Sequence, residues 1–264
     1  MVRRVCLISA EPLTLRALEQ RLSFIALIAI AAIGWWFLIA SEAAMQSMAG
    51  EGVIMDLMWL MMAPSATAPY IASASLMWVV MMIAMMVPAA IPLAAMYRGV
   101  LRHKPKELLT FLFACGYLLS WSVFSVIAAL LQWWLHANGW LFGMSLKTSQ
   151  PVAAVIWASA GIWQLTPMKD ACLSRCQSPL SFLLANWRDG RRGAVILGAQ
   201  HGLYCVGCCW VLMALMFAGG AMSVIVMAAL AIFIVAERLI PSAFWGARVP
   251  GAMMIGVAIY IGFR

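Results

Sequence analysis

Seven stretches of this chain are apolar for long enough to approach the thickness of a bilayer, which narrows its folds sharply. About 20 apolar residues in a helix cross a hydrocarbon core. The stretches lie near residues 22–41, 75–97, 108–135, 152–167, 193–218, 221–236 and 247–263. The chain has 264 residues, 66% of them hydrophobic and 10% charged, a composition unlike that of a soluble domain. The expected fold is an all-α integral membrane protein, a polytopic bundle of about seven transmembrane helices. Residues 1–21 read as a cytoplasmic N-terminal segment, and 22–264 as a single multi-span transmembrane domain.

The charges support this layout. Of 17 Lys and Arg, 15 lie in the N-terminal segment or follow the second, fourth and sixth stretches; only Lys147 and Arg264 fall on the other side. A seven-span, N-in/C-out topology then satisfies the positive-inside rule, and the expected location is a bacterial inner membrane. The net charge of +8 is topogenic and does not imply a nucleic-acid partner. Phe24 to Ala40 is longer than a signal-peptide core, so the first stretch reads as a retained anchor. Leu13, Leu15, Leu18 and Leu22 suggest a short interfacial helix, and Val53 to Met62 a second one in the longest outer loop.

Within the fifth stretch stands His201-Gly202-Leu203-Tyr204-Cys205-Val206-Gly207-Cys208-Cys209-Trp210. On a helix Cys205 lies about 40° from His201, Cys208 about 20° to the other side and Cys209 about 80° away. Ionisable groups inside a span mark a functional site by default. The second stretch adds Met77, Met81 and Met85 at i, i+4 and i+8, next to Pro88 and Pro92. Thiolate and thioether favour Cu(I), while thiolate with imidazole suits zinc. The candidate ligands are His201, Cys205, Cys208, Cys209, Met81 and Met85, for copper ahead of zinc. Methionine also fills core gaps and free cysteine is often inert, so packing is the competing reading, strongest for Cys209. Gly202 and Gly207 thin the helix for a close neighbour.

Cys172 and Cys176 stand at i, i+4 beside Lys169 and Arg175, on the expected inner side. They suit exchange of a metal ion with a donor or acceptor protein, or are an ordinary reduced thiol pair. Glu237 and Arg238 are expected to pair or to snorkel. No P-loop, dinucleotide fingerprint or His-Glu-x-x-His motif occurs, so no enzymatic reaction is assigned.

Several strings carry a family resemblance: Met77-Trp78 to Pro88, Gly116-Tyr117-Leu118 with Trp121, Gly161 with Gln164-Leu165-Thr166-Pro167, Cys172 to Leu180, Trp187-Arg188 with Gly190, and His201 to Trp210. From about Arg16 onward the chain resembles a bacterial family of integral membrane proteins predicted to bind metal, a domain of unknown function. The resemblance implies His201, Cys205, Cys208, Cys209, Cys172 and Cys176 as ligands. Gln200 stands where a basic residue is usual, Ser223 where Asn is usual and Trp163 where Tyr is usual.

The reading that follows is a soft-metal site inside the bilayer, used in metal handling or delivery to a partner. A non-catalytic accessory or assembly subunit of a membrane complex is the alternative. A thiol-redox membrane enzyme is less favoured, because no cysteine lies in an expected outer loop.

Overall fold

Each of the seven apolar stretches is helical over most of its described residues. The computed structural model describes residues 13–47, 52–101, 106–239 and 248–264. Among them are α1 (Leu13–Ser47), α2 (Val53–Leu60), α3 (Thr67–Val100), α4 (Lys106–Ala137), α5 (Gln150–Gln164), α6 (Pro167–Gln177), α7 (Pro179–Asn186), α8 (Gly190–Gly219), α9 (Val224–Leu239) and α10 (Arg248–Gly262). A small antiparallel hairpin, β1 (Leu141–Phe142) and β2 (Lys147–Thr148), follows α4. It is the one departure from an all-helical chain among the described residues.

Among the described residues four helices are long and apolar enough to cross a membrane, against the seven expected: Ile25–Gln46 of α1, then α3, α4 and α8. Helices α5, α9 and α10 have 15, 16 and 15 residues. At 1.5 Å per residue they rise about 23 Å, short of a hydrocarbon core of about 30 Å. Helix α1 runs unbroken from Leu13, so the leucines expected to form an interfacial helix are its first turns. The stretch expected to form the second interfacial helix is helical, as α2, and buries Met55 and Met58. Helix α3 continues through both Pro88 and Pro92.

Small residues set the tightest contact, between α4 and α8. A methyl group on Gly116 would collide with the Val195 carbonyl, and one on Gly198 with the Phe113 carbonyl. A Cβ on Gly202 would stand 2.7 Å from that of Ser120, whose hydroxyl donates to the Ala199 carbonyl at 2.9 Å. Backbones that approach so closely gain dispersion contacts and interhelical hydrogen bonds, the forces left when lipid replaces water.

The chain folds back after α5. Thr166 caps α6, accepting from the Lys169 amide, and Pro167 begins the helix where an N–H would be unpaired anyway. Helices α6 and α7 then lie along the middle of α8, with Cys172 facing Gly207 and Phe182 facing His201. At the opposite end, Gly220 turns the chain from α8 to α9 with φ +107°, a conformation that favours glycine. There the Met222 amide donates to the Ser145 carbonyl at 3.4 Å, and the Val224 amide to Glu42 Oε2 at 3.3 Å.

Candidate metal centre

Helix α8 carries Cys205, Cys208 and Cys209 into the core, all three buried. Cys208 and Cys209 each donate to the Cys205 carbonyl, at 3.1 and 3.0 Å, as thiols three and four residues along a helix can. Cys205 Sγ has different company. Tyr117 Oη from α4 stands 3.2 Å away and also donates to the Met86 carbonyl of α3 at 3.2 Å. Arg238 from α9 places Nη2 on the same sulfur. Its Nη1 donates to the Ala89 carbonyl at 3.5 Å, while its Nε is buried without a partner.

The pair on α6 joins this group. Cys176 neighbours Cys208, and interaction with that thiol, followed by burial, holds the Cys176 thiol well above the ordinary range. Cys172 sits where Gly207 leaves room, its Sγ 3.1 Å from the position of an added Cβ. Burial pushes its thiol up, as does Cys208, while Arg175 opposes the shift. Cys172 and Cys176 are thus beside the motif on α8, where sequence reading placed them apart from it.

The neighbouring charges also differ from expectation. Glu237 does not pair with Arg238. Adjacent residues on a helix diverge by about 100°, so Glu237 meets α6 while Arg238 meets α3 and α8. Lys169, fully buried, donates to the two carboxylate oxygens of Glu237 at 2.6 and 2.8 Å. Gln164 donates to Glu237 Oε1 at 2.6 Å, and Gln177 to the Glu237 carbonyl at 2.8 Å.

His201 is buried between rings, 5.7 Å from Tyr117 and 5.3 Å from Phe182 by centroid, and its Nδ1 has no partner. It shares Tyr117 with Cys205 but faces α4 and α7. Met81 and Met85 are buried in the same apolar core as the three α8 thiols. No three His, Cys, Asp or Glu side chains among the described residues already stand as a metal-binding group. The reason is local: Arg238 and Tyr117 occupy Cys205, and the other two α8 thiols turn toward a backbone carbonyl.

Sequence reading missed Arg238, Tyr117 and the Lys169–Glu237 pair as parts of this site. The available signal was charge: Lys169 and Glu237-Arg238 border apolar helices and fall on the same expected side. Nothing in their spacing said that they would meet.

A family model described as PpoB2, copper chaperone, matches residues 75–261. The chain belongs to the PpoB2 copper chaperone family. The match extends from α3 to α10 and includes every thiol described above, which ties the membrane-type helices to a copper-related role. No curated protein and no solved structure matches the chain.

Proposed function

We propose that this PpoB2 family member is a multi-span membrane protein that takes Cu(I) as cargo on thiols of α6 and α8 and passes it to a partner protein. The observation that carries this reading is the close approach of α6 to α8 at Gly207, where Cys172 Sγ stands 3.1 Å from the position of an added Cβ, which brings two cysteine groups on separate helices together. Soft thiolates suit Cu(I), and two of them suffice to hold it in linear coordination. Cys208 with Cys176 or Cys205 forms the first holding pair. Cys172 is the transfer thiol, and His201, Met81, Met85 and Cys209 are further ligands or packing groups. The Lys and Arg distribution supports a cytoplasmic α6 end in a bacterial inner membrane. On that reading α5, α9 and α10 complete a seven-span domain over residues 22–264. The partner is a copper donor or acceptor, free or within a membrane complex.

Purified protein in detergent, titrated with Cu(I) against a chromogenic chelator, tests the proposal. The double variant C176S/C208S is expected to weaken binding by about 100-fold or more, as loss of a first ligand pair should. C115S removes a thiol outside the cluster and is expected to bind as wild type. Wild-type affinity in the double variant overturns the reading. That outcome would favour an accessory subunit whose thiols only pack the core, a role consistent with the hydrogen bonds of Cys208 and Cys209 to a carbonyl of their own helix.

A further inference from the structure

We propose that Arg238 is the counter-cation of the metal-loaded site and selects a monovalent over a divalent ion. The inference rests on the proposed thiol site and adds a charge rule to it.

Among the described residues, three charged groups shielded from solvent stand at the cluster, Lys169, Glu237 and Arg238, while Arg175 beside Cys172 is solvent-exposed. The first two pair at 2.6 Å and cancel. Arg238 is left as one surplus positive charge, with no carboxylate ion-pair partner among the described residues. Its guanidinium rests on Cys205 Sγ and the Ala89 carbonyl, and is close enough to act electrostatically on Cys176 and Cys208. Guanidinium remains protonated in proteins, so this charge cannot be shed. An unpaired cation among apolar helices is costly, and removing its partner in such a setting is strongly destabilising.

The charge balance then follows from coordination. Two thiols and one Cu(I) give a bis-thiolate complex of net charge −1, with both protons released to water. Arg238 beside it brings the total to zero. The same two thiolates with Zn(II) are already neutral, and Arg238 leaves that assembly at +1. In a low-dielectric site one uncompensated charge discriminates strongly. Arg238 therefore favours a monovalent soft ion through charge, in addition to any preference of sulfur for copper. It is a positioning residue for the cargo, acting on the sulfurs and not on the ion.

The test compares Cu(I) and Zn(II), each titrated against a competing chelator, in wild type, R238Q and R238K. Expected is a loss of about tenfold or more in Cu(I) affinity for R238Q, with Zn(II) affinity unchanged or higher. R238K keeps the charge and should retain most of the wild-type Cu(I)-to-Zn(II) ratio. A purely structural arginine would lower both affinities together, and an unchanged ratio or a parallel loss in R238Q overturns the proposal. If R238Q does not fold, R238K decides: a collapsed ratio with the charge present overturns it, and a preserved ratio supports it. Absence of Cu(I) binding in wild type removes the underlying thiol site as well. Cu(I) binding in wild type with an unchanged R238Q ratio removes only the role of Arg238.

Discussion

The bundle contains two buried polar networks, one toward each end of α4, and they are built in opposite ways. Near the hairpin, Trp78 donates to Gln132 at 2.7 Å, Gln132 to Tyr70 at 3.3 Å, and Tyr70 meets His136 Nδ1 at 3.1 Å. These groups close on one another, and none of those atoms is left orphaned. Around α6 the groups include full charges and several thiols, and Gln164 Oε1, His201 Nδ1 and Arg238 Nε are buried without partners. A closed network rigidifies the helices it joins, whereas orphaned buried atoms raise the free energy of the ligand-free state. The first network serves the fold; the second carries polar capacity that the fold alone does not use.

Four substitutions probe this contrast, beginning with the largest expected effect. Lys169→Met leaves Glu237 buried without its cation and should cost about 3–5 kcal/mol, measured by thermal melting in detergent. Adding Glu237→Gln should recover much of that loss, because the two changes are coupled through one ion pair. Gln132→Leu leaves Trp78 Nε1 unpaired at the hairpin end and should cost about 1–2 kcal/mol, with Cu(I) affinity unaltered. A larger loss for Gln132→Leu than for Lys169→Met would reverse the assignment of the two networks. Gly207→Ala should alter stability least. Its gain in helix propensity of about 1 kcal/mol opposes the displacement of Cys172, giving a net change within about 0.5 kcal/mol. Faster labelling of Cys172 by a thiol reagent would report that displacement.

The helices were legible because hydrophobic runs and period-3.6 spacing are local properties. Helix α8 brings Cys205, Cys208 and Cys209 to the core as the angular spacing predicts, and α2 forms where the outer-loop methionines suggested it. The glycines also read correctly in part: Gly202 admits α4, and Gly207 admits Cys172. What failed was long-range. Lys169 and Glu237 are 68 residues apart, and Arg238 reaches a sulfur 33 residues away. Positive-inside counting treats Lys169 as a charge in water, yet it is fully buried. The closeness of the inner cysteine pair to α8 was not legible for a related reason. A Pro167 start after a short α5 turns α6 back along α8, and hydropathy cannot distinguish that path from a loop beyond the helix ends.

The contacts around the α8–α9 turn also have a mechanical meaning. Ser145 and Glu42 hold the α8–α9 turn and the first residue of α9 to the hairpin and to α1, anchoring that end. Arg238 lies 14 residues farther along, a lever arm of about 21 Å at 1.5 Å per residue. A tilt of about 5° would swing the guanidinium by about 2 Å, but Glu237 beside it is held by Lys169, Gln164 and Gln177, so the far end is fixed as well. Helix α9 is thus a strut pinned at both ends, and its stiffness keeps the guanidinium on the sulfur without any load on the α4–α8 glycine contact.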